Sequence, residues 1–206
     1  MSVPMLKTLF TAFLETMQAK EDELGNLDAV AGDGDHGIGM VRGFKAAAAS
    51  AQAATHDSAS SLISEAGAQF SDAAGGSSGA LVGIFIITIG NKLEDDNITT
   101  ESVATALELG LARMAKLGKA TTGQKTMLDT LDPFVTALKK HQNQPLADAW
   151  QAALPAAEAG MNATAEMDSK KGRASKLGER SKGHKDPGAV SMYYLLATTA
   201  TVLQSA

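Results

Sequence analysis

The chain has 206 residues, no Cys and a formal net charge of −5. That length suits a single domain, 1–206, with a core that needs no covalent staples. The missing Cys excludes a disulfide scaffold, thiolate metal sites and a Cys nucleophile, and agrees with a reducing cytoplasm. The acidic balance excludes a general nucleic-acid binder.

No Lys/Arg-flanked apolar segment opens the sequence, so no signal peptide is expected. Leu6, Leu9, Phe10, Phe13, Leu14 and Met17 follow the helical period and predict one buried stripe. Three carboxylates then crowd into eight residues, Asp28, Asp33 and Asp35, interleaved with Gly32, Gly34 and Gly37. Their mutual repulsion calls for a cation, and a hard oxygen-loving ion such as Mg²⁺ fits. An Asp-Gly turn is the plain reading of Asp33-Gly34. An EF-hand fails on register, because the twelfth position from Asp33 is Phe44. A hairpin fails because no alternating strands flank it. His36 directly follows the last Asp and could donate a hydrogen bond to a phosphate oxygen.

Stretches 37–54 and 58–74 are rich in Ala and Ser and suit helices. Gly75-Gly76-Ser77-Ser78-Gly79 leads into an apolar run from Ala80 to Ile89. The run is too short to span a bilayer, so no membrane association is expected. The glycines allow either a flexible connector or a phosphate cradle at a helix N-terminus. Val103, Ala106, Leu107, Leu111 and Met114 repeat the helical stripe. The junction Gly118 to Asp129 gathers Gly, Lys, Thr and Asp, as a capped loop or as part of a site. Met127 suits either the core or the wall of a planar ring. Helical stripes resume over Met127–Leu138 and Leu146–Ala157, with a kink expected at Pro155. Residues 166–186 show no apolar period, yet 170–185 hold five Lys and two Arg of the chain's 18 basic residues. Such a flap is either a solvated loop or a polyphosphate clamp opposite the acidic cluster. The last helix starts at Asp186-Pro187, a capping carboxylate followed by Pro. His56 and His141 read as surface residues. About eight helices and no strands predict an all-α bundle.

Taken together, acidic ligands, a Gly-rich cradle, a Thr/Lys junction and a basic flap suit metal-assisted phosphoryl transfer. Four segments in this order resemble the nucleotide-binding L subunit of dihydroxyacetone kinases and the C-terminal domain of their single-chain forms. They are Asp28…Gly32-Asp33-Gly34-Asp35-His36-Gly37, Gly75-Gly76-Ser77-Ser78-Gly79, Lys125-Thr126-Met127-Leu128-Asp129, and Gly172-Arg173-Ala174-Ser175 through Asp186-Pro187-Gly188.

The resemblance implies an eight-helix antiparallel barrel with a nucleotide at one end. It implies two Mg²⁺ ions held by Asp28, Asp33 and Asp35 and bridged to ADP or ATP. His36, Gly37, Ile38 and Gly39, with Ser77 and Ser78, would meet phosphates. Gly118 and Met127 would border the adenine, with Thr126 among the nucleotide contacts. Arg173, Asp186, Pro187 and Gly188 would close over the nucleotide. No residue acts covalently. The implied partners are a K subunit carrying dihydroxyacetone, a phosphotransferase-system phosphoryl donor, a transcription activator and a second copy in a homodimer. Bound ADP rephosphorylated in place is the first mechanism. ATP exchange on another small ketose, or a nucleotide-dependent regulator, are the alternatives. The fatty-acid kinase N-terminal domain is related, but favours Asp-Gly-Asp-Thr-Gly where this chain has His36. Gln124, Lys176 and Lys182 depart from the family pattern at or near the flap.

Overall fold

The computed structural model describes residues 1–172, 175 and 181–205. Its helices are α1 (Val3–Ala19), α2 (Glu21–Ala29), α3 (His36–Ala53), α4 (Ala59–Ala74), α5 (Gly76–Lys92), α6 (Thr100–Gly118), α7 (Leu128–Lys140), α8 (Leu146–Ala163) and α9 (Pro187–Gln204). A 3₁₀ turn at Thr164–Glu166 follows α8, and no strand occurs among the described residues.

Local chemistry sets several starts. Ser2 and Ser58 cap α1 and α4 through Met5 N and Ser61 N. Thr99 and Ser102 form a reciprocal capping box on α6. Asp186 accepts from Ala189 N at 2.8 Å, with Pro187 in the first turn of α9, as the sequence predicts.

Each helix of the ring packs on the next: α1 on α3, then α4, α5, α6, α7, α8 and α9, which returns to α1. Eight helices therefore close a barrel around one core. Phe44 meets Phe13 edge-on and Phe70 at a tilt on one side. Phe134 meets Trp150 edge-on on the other, and Trp150 Nε1 donates to Leu196 O at 2.9 Å. The expected bundle gains one further helix, α2, which packs on α3 and α9 beside the ring. It carries no apolar stripe to read, because Leu24 is its one fully buried residue. Its first turn is Glu21, Asp22 and Glu23, which suits the positive end of the helix. Helix α8 runs on through Pro155 to Ala163.

The run 80–89 forms the body of α5 within the barrel. No helix among the described residues is long and apolar enough to cross a membrane.

Candidate functional site

One end of the barrel opens into a cavity of about 630 Å³. The starts of α3, α5, α7 and α9 line it, as do the ends of α4 and α6. The ring therefore alternates in direction, and four helix N-termini meet at one space. Each carries partial positive charge, so together they favour a polyanion.

The acidic residues sit at the rim of this space. Asp28 lies in the last turn of α2, while Asp33 and Asp35 occupy the connection to α3. Gly34 adopts φ +78°, which lets the chain turn back toward α2. Asp35 N then donates to Asp28 Oδ2 at 3.0 Å. One carboxylate oxygen from each residue lies within 4.8 Å of the others. Asp33 and Asp35 are exposed and Asp28 is half-buried. All-oxygen donors at this spacing, open to solvent on one side, fit a hard divalent cation that keeps water or phosphate ligands. Gly37 brings α3 against the α1–α2 junction, where a methyl group would overlap the Glu21 carbonyl oxygen.

His36 begins α3 and is buried, so desolvation lowers its pKa to about 4, only partly opposed by Asp28. Ser191 Oγ donates to Gly188 O at 3.0 Å, which leaves its lone pair for His36 Nε2 at 3.0 Å. The neutral imidazole thus carries its proton on Nε2, and Nδ1 accepts from Ser78 Oγ at 3.4 Å. This chain of hydrogen bonds links α5, α3 and α9. Both ring nitrogens are engaged with hydroxyls, so the donors that α3 offers a phosphate are its backbone N–H groups.

At the Gly-rich segment, α4 ends at Ala74 and α5 begins two residues later. Gly75 and Gly76 both adopt positive φ at this corner. Arg42 Nη2 donates to Ala74 O at 2.7 Å, which fixes a guanidinium in the cavity wall. Arg42 has no distinguishing company along the chain, because it lies on α3, 32 residues from the Ala74 carbonyl that it braces.

The junction 119–127 is held by Asp129, buried at 2% exposure. It accepts from Gly123 N at 2.5 Å and Thr126 N at 2.7 Å. The capped-loop reading of this segment holds, and the loop also walls the cavity with Lys125, Thr126 and Met127. Met127 is buried and joins Leu81, Met114 and Leu117 as an apolar part of the lining. Gly188 fits tightly over Met127 Cγ, where a Cβ would come within 2.8 Å.

Lys125 was expected only as part of a motif. Its ammonium donates to Thr164 O and His184 O, each at 2.5 Å, and burial lowers its pKa. Asp186 beside it is pushed up to about 7, chiefly by burial, against the pull of Lys125. In the flap, Asp168 pairs with Lys170 at 3.6 Å and Lys182 at 3.3 Å. Lys182 therefore has an acidic partner of its own. Gln124 O accepts from Lys170 N at 3.2 Å, and its side chain accepts from Thr121 N.

The cavity collects Asp28, Asp33, Asp35, His36, Gly39, Ser77, Ser78, Gly118, Thr126, Met127, Asp186, Pro187 and Gly188. Gly37 is buried against Glu21, and Ile38 is 53% exposed outside the lining. Arg173 and Lys176 lie outside the described residues.

A DAK2 domain matches residues 30–201. A D-erythrulose kinase of Mycolicibacterium smegmatis is 40% identical over 93% of this chain and 34% of its own. The ADP-binding subunit DhaL of a PEP-dependent dihydroxyacetone kinase from Listeria innocua is 36% identical over 87% of this chain and 86% of its own. The fold matches the dihydroxyacetone kinase of C. freundii in complex with AMP-PNP and Mg²⁺. The TM-score is 0.76 at 29% identity, covering 95% of this chain and 33% of that one. The chain spans about a third of the length of the erythrulose kinase. It belongs to the DAK2 domain family.

Proposed function

We propose that this DAK2-domain chain is the nucleotide-binding unit of a dihydroxyacetone-type kinase. The observation that carries the reading is the convergence of three carboxylates, within 4.8 Å of one another, with four helix N-termini on one cavity. Asp28, Asp33 and Asp35 would hold two Mg²⁺ ions, and the bound ions would offset phosphate charge during transfer.

The chain's own groups do the positioning. Backbone N–H groups at the starts of α3 and α5, with the hydroxyls of Ser77 and Ser78, orient the phosphates. Arg42 adds a fixed positive charge at the end of α4. Leu81, Met114, Leu117 and Met127 offer an apolar wall to the base, beside Gly118. Asp186, Pro187 and Gly188 bound the cavity from the start of α9. Arg173 would join them from the flap. No residue needs to be phosphorylated. Rate then comes from in-line placement and charge neutralisation.

The acceptor is a small ketose on a separate K-type domain or subunit, which meets this chain at the cavity end. The DhaL relative named as PEP-dependent and ADP-binding supports bound ADP recharged by a phosphotransferase-system protein. A second reading has its own support. The erythrulose kinase is the more identical of the two relatives, which favours erythrulose as the ketose, and the AMP-PNP complex of the C. freundii kinase favours ATP. A transcription activator and a second copy of the chain are further proposed partners. A cytoplasmic location is part of this proposal, and a chain without Cys suits such a reducing compartment.

Protein purified without added nucleotide, denatured and analysed for released nucleotide and Mg²⁺, tests the reading. Stoichiometric ADP with about two Mg²⁺, the number three shared carboxylates can bridge, supports the bound-ADP mechanism. An initially empty site that binds Mg·ATP reversibly supports the exchanging kinase. A chain that carries and binds neither overturns both.

A further inference from the structure

We propose that Lys125 is a positioning residue that sets how long the nucleotide stays bound, by clamping together the two chain segments that reach the cavity from α8 and into α9. This rests on the nucleotide-binding reading above.

Lys125 is 5% exposed, and its backbone adopts φ +60°, an uncommon conformation for a residue with a side chain. That conformation belongs to the loop tied by Asp129. From it the side chain runs along the cavity wall to two main-chain carbonyls, those of Thr164 and His184. These carbonyls stand 20 residues apart in sequence, one at each foot of the flap. Gly183 N donates to Ala165 O at 2.8 Å, and Asp186 N donates to Thr164 Oγ1 at 3.0 Å. Ser169 N donates to Ser181 Oγ at 3.0 Å. The feet are thus laced side by side, and the ammonium closes the lacing from the cavity side.

An ammonium is well suited to this place. It satisfies the buried carbonyl of Thr164 and the part-buried one of His184 at once, and faces the acidic groups Asp186, Glu166 and Asp168. Its loss leaves the carbonyls without that donor and frees Asp186, Pro187 and Gly188 to shift at the nucleotide's edge. The carboxylate cluster and the start of α5 belong to other elements and stay in place. Nucleotide should therefore arrive at the same rate and leave faster.

The chain contains no Cys, so Lys125→Cys creates a unique thiol. Alkylation of the unfolded variant with 2-bromoethylamine, then refolding, rebuilds a side chain of lysine length and charge. Dissociation of Mg²⁺ and a fluorescent N-methylanthraniloyl-ADP is followed by chase with excess ADP. Lys125→Cys should release the probe about tenfold to a hundredfold faster at an unchanged association rate, the span set by one lost charged hydrogen bond. Aminoethylation should restore the slow release.

A dissociation rate in Lys125→Cys equal to that of the wild type overturns the proposal, whatever its melting temperature. A wild-type chain that binds no probe overturns the nucleotide reading instead. Amide exchange of nucleotide-free Lys125→Met then tests the clamp itself. Faster exchange confined to 165–172 and 181–186 supports it, and exchange that is unchanged or spread over all helices overturns it.

Discussion

The imidazole of His36 and the hydroxyl of Ser191 face each other across 3.0 Å, joining the first turn of α3 to α9. Neither element is near the other in sequence. The contact fixes the tautomer of a buried neutral histidine beside the carboxylate cluster.

Ser191→Ala removes the acceptor for the Nε2 proton. A buried donor left unsatisfied costs about 1–3 kcal/mol. The expected outcome is a loss of stability in that range by urea denaturation, with an unchanged denaturant slope. Imidazole ¹⁵N shifts should show a change in the tautomer or mixing of both. An unaltered Nε2–H signal in the variant would exclude this arrangement.

Asp33→Asn with Asp35→Asn removes two of three clustered carboxylates. Nucleotide binding in Mg²⁺ should weaken by more than about a hundredfold, since even outer-shell changes at metal sites reach that figure. Helical content should persist, because both residues are exposed and lie outside the core. Calorimetric titration with Mg²⁺ and ADP, beside circular dichroism, reads the two effects separately.

Asp186 makes stability depend on pH. Its pKa rises on folding from an ordinary 3.8 to about 7. Between those values the folded chain binds more protons than the unfolded one. Its contribution is therefore full below the unfolded pKa and fades as pH rises through about 7. Asparagine caps helices as well as aspartate and carries no charge. The nucleotide-free Asp186→Asn variant should therefore gain melting temperature relative to wild type on going from acidic to mildly alkaline buffer. A gap that is constant with pH would sink the assignment.

Gly37→Ala places a methyl group on the carbonyl oxygen of Glu21, where the obstacle is backbone. Overpacking of this kind costs about 1–3 kcal/mol. The variant should melt lower and also bind Mg·ADP more weakly, because the displaced element is the start of α3. Gly123→Ala is a poor control, as its φ of +89° strains any side chain. Ala152→Ser on the exposed side of α8 serves better, and should lower melting far less and leave binding unchanged.

Helix α2 shows where the sequence was silent. Periodicity reports a helix only when one face is buried, and α2 buries little beyond Leu24. Its acidic first turn was a legible start, but without a stripe it could not be told from a loop. Asp28 consequently falls in a helical turn, while its two companions fall in the connection that follows.

Arg42 and Lys125 were hidden for a different reason. Each acts on a carbonyl distant in sequence, Ala74 for the one and Thr164 and His184 for the other. A lone basic residue on a helix or in a loop carries no mark of such a partner.

The sequence by itself determined the helices with apolar stripes, the cap at Asp186, and the crowding of three carboxylates into eight residues. Those are short-range properties, set by spacing along one chain segment and by like charges held close. Only the tertiary structure decided that α9 returns to α1 and closes the ring. Closure with alternating direction is what turns four helix starts toward one cavity, and it brings Ser191 to His36 and the flap's two feet to Lys125. Such juxtapositions depend on how packed helices share a core, and no local pattern of residues encodes them.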